Sequence, residues 1–324
     1  MDIWSNGFFT GVVAHGLIGI SLVWDKILLK QNRSKSVVNY VFWLGALSMF
    51  GSILAFFGMK LPSIGIILIA IGAGAVHLIG VFFYYWGLNL GEASQTLAIM
   101  GGFSPIATAL IAWPLLHSNL SGLALWGFVL MTAGGFFMFF SEKVPVRKLL
   151  PVVVLSAAFF GLGNVMQKIA FDNTSGFVTA YVFYTIGTFG CALVFLVRKR
   201  WREDIFAQAE HAERKRKISY FSNRIMAGVG SLLIFLAISE THPAIVEAIS
   251  GLRYVIVFVG AYLVTKFRPR WLAEDFTPWG ITAKTIATAL VVTGLFLSGF
   301  AGQTGSSAAR PSDRTQQTAA LRTR

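Results

Sequence analysis

The sequence predicts an all-α polytopic membrane protein, with ten transmembrane helices arranged as two inverted five-helix repeats. Three observations predict it. The 324 residues are 55% hydrophobic and only 13% charged, with a mean hydropathy of +0.68, whereas soluble domains carry about a quarter charged residues. Ten apolar segments reach the roughly 20 residues that a helix needs to cross the hydrocarbon of a bilayer. Short motifs of the first half recur, in the same order, in the second.

The ten segments run approximately over 7–29, 37–58, 63–87, 94–115, 122–141, 149–171, 175–197, 218–240, 242–265 and 280–301. Asn223 and Arg224 near the start of the eighth make it the least apolar at its edge. Short connections make chain neighbours antiparallel hairpins. The first segment has no basic stretch before it and no small-residue cleavage site after it, which predicts a first span rather than a cleaved signal. The 33 glycines and 29 phenylalanines suit helices that approach closely through small residues and face lipid with large ones.

The repeat rests on three matches. Val23-Trp24-Asp25-Lys26-Ile27 lines up with Val165-Met166-Gln167-Lys168-Ile169, Ala98-Ile99-Met100-Gly101 with Ala248-Ile249-Ser250-Gly251, and Gly134 with Gly294. Each half holds an odd number of spans, so the second half sits upside down relative to the first. This divides the chain into a first repeat over 1–141, a second over 142–301, and a tail over 302–324 rich in Gly, Ser, Thr, Gln and Arg, expected to be disordered. The charged connection 198–217 places Trp201, Ile205, Phe206 and Ala209 on one helical face. It reads as a short interfacial helix or as a solvated linker.

A net charge of +13 resides in inter-helical segments and the tail rather than on one folded face, which points to membrane lipids and away from nucleic acid. Basic residues gather on one side: Lys30, Arg33 and Lys35; Lys143, Arg147 and Lys148; the nine between Arg198 and Arg224; and Lys266, Arg268 and Arg270. The opposite loops have Lys60 alone. The positive-inside rule then puts loop 198–217 in the cytoplasm and both termini outside a plasma (inner) membrane. Arg310, Arg314, Arg322 and Arg324 in the tail pull the other way. The single cysteine, Cys191, forms no disulfide, CxxC or thiolate metal site. No nucleotide-binding loop, HExxH or nucleophile elbow occurs, so neither an enzyme nor an ATP-driven pump is expected, and no cofactor or metal is implied.

Gly91-Glu92-Ala93-Ser94 leads into Leu97-Ala98-Ile99-Met100-Gly101-Gly102-Phe103-Ser104-Pro105. Together with Trp24-Asp25-Lys26, its counterpart at Lys168, and Gly127 and Gly134, this resembles the ten-helix, EamA-type drug/metabolite transporter superfamily over residues 7–301. The resemblance implies a secondary transporter, an exporter or exchanger of a small metabolite, amino acid or drug, working by alternating access through a central cavity. A proton or a sodium ion is the candidate coupling ion. The sequence departs from the family's pattern at Arg253-Tyr254, where a proline is expected, and in a charge bias opposed to cytoplasmic termini. A lipid-handling membrane enzyme or carrier and a non-transporting scaffold are the rival readings.

Ionisable groups inside a span are costly, about 2.5–3.5 kcal/mol at the centre by insertion scales, and therefore face the bundle interior. Arg253 has donors suited to a carboxylate or phosphate, or pairs statically with Glu247 or an acid of another helix. Glu247, Gly251 and Tyr254 share a helical face, and Glu247 is a proton carrier or a fixed hydrogen-bonded acid. His77 shares a face with Tyr84, and His15 lies in a stripe with Gly11 and Gly19; each histidine is a relay or a packing residue. Lys26 and Lys168 occupy equivalent places and either line the cavity or reach the headgroups. Asn164 and Gln167 bind solute or join helices. The expected cavity is thus Lys26, His77, Tyr84, Ser104, Asn164, Gln167, Lys168, Glu247, Arg253 and Tyr254, with helix breaks at Gly101, Gly102, Pro105 and Gly251.

Overall fold

The computed structural model describes residues 7–30, 37–90, 93–117, 120–141, 146–207, 214–268 and 278–308. Every regular element among them is a helix: α1 (Gly7–Lys30), α2 (Val37–Ser48) continued by a 3₁₀ turn over Met49–Phe56, α3 (Ile64–Leu90), α4 (Ala93–Leu116), α5 (Gly122–Ser141), α6 (Val146–Asp172), α7 (Phe177–Val194), α8 (Lys199–Ala207), α9 (Arg214–Glu240), α10 (Pro243–Ile249), α11 (Gly251–Phe267) and α12 (Pro278–Ala308). Ten stretches among the described residues are long and apolar enough to cross a membrane, with α2 plus its 3₁₀ turn making the second and α10 plus α11 the ninth. The chain is a multi-pass membrane protein.

Its surface is inverted relative to a soluble protein. Phe56, Ile64 and Phe296 are largely exposed, whereas His15, Ser156, Gln167 and Thr108 are fully buried. Lipid is the solvent for the outer face, and the interior collects the polar groups. Asn223 and Arg224 do not interrupt α9. The Asn223 amide donates to the Ser21 carbonyl of α1 at 3.2 Å, and the Arg224 guanidinium lies 5.1 Å from the Tyr40 ring centre.

The most extensive pairings join the two halves of the chain: α5 with α12, α3 with α6 and α7, α1 with α9, and α4 with α6. The pattern recurs five spans on, since α1 meets the eighth span as α6 meets the third. Several of these seams bring backbones together. A Cβ on Gly127 would meet the Gly294 carbonyl at 2.8 Å, and one on Gly294 would meet the Gly127 carbonyl at 2.7 Å. A Cβ on Gly74 of α3 would meet the Tyr184 carbonyl of α7. Gly134 and Gly294, matched in sequence, both lie in the α5–α12 seam.

Two features outside the spans differ from the sequence expectation or resolve it. Helix α12 continues to Ala308, into the tail expected to be disordered, because the first proline beyond the span is Pro311, and Ala301, Gln303 and Ala308 favour helix; residues 309–324 lie outside the description. In the charged connection, α8 is a helix docked on α2. Ile205 is fully buried with Val38, Val41 and Phe42, and the Asn39 amide donates to the Asp204 and Ile205 carbonyls at 3.2 and 2.6 Å. Trp201 packs on Phe195 while Phe206 remains half exposed; Ala209 lies outside the described residues.

Candidate functional site

The ninth span carries the site because its hydrogen-bond ladder changes register within the span. Helix α10 starts cleanly. Pro243 occupies its first turn, where a missing N–H costs nothing, and His242 caps it, Nδ1 accepting from the Ala244 amide at 3.2 Å. At Ser250 the ladder tightens. The Ser250 amide bonds the Glu247 carbonyl at 3.0 Å, and the Arg253 amide bonds the Ser250 carbonyl at 2.9 Å, both three residues back instead of four. In an uninterrupted helix the Ser250 amide would have taken the Val246 carbonyl. That carbonyl is instead taken by His15 of α1, whose Nε2 lies 2.8 Å away.

Five polar side chains then gather on the two sides of the turn. The Glu247 carboxylate is buried and accepts from the Ser104 hydroxyl of α4 at 2.7 Å and from the Asn164 amide of α6 at 2.6 Å, one donor for each oxygen. Arg253 points to the other side, where its Nε donates to His15 Nδ1 at 2.7 Å. An arginine Nε always carries its proton, so His15 Nδ1 must be the acceptor. The Nε2 then carries the histidine's hydrogen and donates to Val246. His15 is thereby fixed as one neutral tautomer that ties α1, α10 and α11 together.

Tyr254 turns toward α4 like Glu247, and its ring occupies the space a Cβ on Gly101 would need. Tyr84 packs near it in a cluster with Leu97, Leu22 and Ala287. His77 has its ring edge-on to Phe160, Tyr184 and Phe235 at 4.7, 5.7 and 5.6 Å between centres. Gln167, one turn beyond Asn164, is fully buried with neither amide atom hydrogen-bonded.

The structure therefore gathers Ser104, Asn164, Glu247, Arg253 and Tyr254 around one tightened turn, with Gln167 and Tyr84 beside them, and sets His77 among the rings of Phe160, Tyr184 and Phe235. It does not bring in Lys168, whose Nζ pairs with Asp172 at 2.9 Å and donates to the Ser239 carbonyl at 3.0 Å. The acid one turn on and the carbonyl end of α9 hold it at the end of its span. The Lys26 side chain lies outside the described residues. A static Arg253–Glu247 pair is also absent: each has other partners, and among the described residues no carboxylate stands within ion-pair distance of Arg253.

Of the expected helix breaks, Gly101, Gly102 and Pro105 are not breaks, since α4 runs through all three. Pro105 leaves the Gly101 carbonyl without its helical donor, and Gly135 of α5 lies directly on that carbonyl, where any Cβ would collide with it. A Cα–H contact of this kind partly replaces the lost bond. Gly102 in turn makes room for the Phe136 ring. The change of register falls at Ser250, beside Gly251. His15 and the Val246 carbonyl belong to the site, although the sequence reading does not include them in it. The small-residue stripe around His15 is the available signal, because Gly11 and Gly19 receive Ile249 and Ile256 of the broken span.

Residues 5–140 match the model of the EamA-like transporter family, consistent with the drug/metabolite transporter resemblance. The matched segment holds His15, His77, Ser104 and the Gly101–Pro105 stretch. A solved crystal structure is similar over 91% of this chain and 98% of that one, with 13% identity and a TM-score of 0.60, a likeness that shows the fold alone. No match occurs among curated proteins.

Proposed function

We propose that this chain is a secondary transporter, an exporter or exchanger of a small organic solute, working by alternating access between two inverted halves around the Glu247 cluster. One observation carries the reading: the turn at Ser250 within the ninth span frees a backbone carbonyl and surrounds it with side chains drawn from α1, α4, α6, α10 and α11. Irregular backbone at membrane depth persists where protein or a water-filled path covers it, and transporter sites are built from such discontinuous helices. The network crosses the halves at two places, from α4 through Ser104–Glu247 and from α1 through His15 to Arg253 and the Val246 carbonyl. A change of access must remake both contacts, so solute and ion can bias the equilibrium there.

The basic connections, including the docked α8, face the cytoplasm in this proposal and the termini face outward, in the plasma (inner) membrane. Purified protein in proteoliposomes, offered a solute panel under imposed proton or sodium gradients, tests the transport reading. Absence of flux for every solute, with folding intact, ends it. Single cysteines placed in α8 of a Cys191→Ser protein test the orientation; labelling from outside reverses it.

A further inference from the structure

Arg253 is a cation near the middle of the 25-residue span Pro243–Phe267, and no described acid stands within ion-pair distance of it. Among the described residues its guanidinium has no carboxylate partner, and its one side-chain hydrogen bond is to His15. His15 cannot supply the missing charge, because the bond it accepts at Nδ1 and the one it makes to Val246 fix it as a neutral imidazole. Glu247 commits both oxygens to Ser104 and Asn164. Lys168, at the end of its span, is already paired with Asp172.

Arg253 is part-buried, and a charge held within a membrane span without a counter-ion is costly, so a partner from solution has a strong reason to enter. The geometry specifies its shape. With Nε occupied by His15, the two terminal nitrogens remain as an end-on fork of parallel N–H donors, the arrangement that holds two oxygens of one anionic group. His15 positions that fork by holding Nε. A lipid headgroup does not reach this depth, so the anion belongs to a soluble molecule.

We propose that Arg253 is the anchor for an oxyanion, a carboxylate or phosphate group carried by the transported solute. This rests on the site being the solute site. Glu247, on the opposite side of the turn, disfavours a second negative charge on the same molecule, so the class is a small monoanion or a zwitterion whose cationic end faces Glu247.

The experiment is thermal unfolding of the full chain in detergent, in a constant sodium chloride background, with sodium benzoate, phenyl phosphate and neutral benzamide as probes. Benzoate or phenyl phosphate should raise the unfolding temperature saturably by a few degrees, as binding to the folded state requires, while benzamide should not. Benzoate acting at lower concentration assigns a carboxylate, and phenyl phosphate doing so assigns a phosphate. The rise should vanish in Arg253→Gln and need at least tenfold more probe in Arg253→Lys, which keeps the charge without the fork. No rise with either oxyanion, or an equal rise in Arg253→Gln, overturns the assignment. Should Arg253→Gln fail to fold, unchanged affinity in Arg253→Lys overturns it instead. Anion-specific stabilisation in a protein that moves no solute defeats the transport reading and leaves the anion site. Transport of uncharged or cationic solutes that is indifferent to Arg253→Gln does the reverse.

Discussion

Helix α4 and the α10–α11 pair occupy matching places in the two halves and share an Ala-Ile-x-Gly stretch, yet they behave in opposite ways. Helix α4 contains Pro105 and Pro114 and remains continuous. The ninth span has no proline after Pro243 and changes register at Ser250. Proline content does not decide where a membrane helix opens; the partner waiting for the freed carbonyl does. In α4 that partner is another backbone, Gly135, which seals the Gly101 carbonyl against α5. In the ninth span it is the His15 side chain, which accepts Arg253 on its other nitrogen. One opening is closed by packing, and the other is wired to ionisable groups.

The comparison breaks most severely if the seal is forced apart. Gly135→Val drives a branched side chain into the Gly101 backbone and should cost about 3 kcal/mol or more, seen as loss of monodisperse protein or a collapsed unfolding temperature; wild-type stability would remove the seal from the account. Next comes His15→Ala, which strips the Val246 carbonyl and Arg253 Nε of their partner at once. A loss of about 2–4 kcal/mol is expected, and His15→Gln should recover part of it; indifference to both changes would disconnect the wiring. Glu247→Gln is nearly isosteric, keeps an acceptor for Asn164 and presents an amide to Ser104. It should cost only about 1–2 kcal/mol in thermal unfolding but lower solute flux in proteoliposomes at least tenfold, and unaltered flux would make Glu247 a structural group. The smallest effect belongs to Pro105→Ala. It returns a donor to a carbonyl already covered, so stability should move by less than about 1 kcal/mol, and a large change in either direction would mean Pro105 sets the path of α4 after all.

Much of this fold is legible because hydropathy and length report directly on the solvent. The ten spans, the docked amphipathic segment around Ile205 and the central position of Glu247, Arg253 and Ser104 follow from residues whose burial cost is visible one at a time. What stays hidden depends on pairs. Nothing local in α4 announces that Gly135 will cover the Gly101 carbonyl, so Pro105 reads as a break. His15 and Arg253 are separated by 238 positions, and a lone intramembrane histidine reads as packing until its partner is known. Lys168 is misplaced for a different reason: Asp172 stands four residues on, at salt-bridge spacing on the same helix face, and the symmetric match to Lys26 outweighs that local signal.

The seams between the halves also bear on how the chain could be divided. Since α3 rests on α6 and α7, α1 on α9, and α5 on α12, the boundary near residue 141 separates two stretches of text rather than two bodies. A gene cut there should yield fragments that each lack the surfaces their longest seams cover. Severed this way, the protein becomes a complementation pair, with the meshed glycines at Gly127 and Gly294 acting as its recognition code.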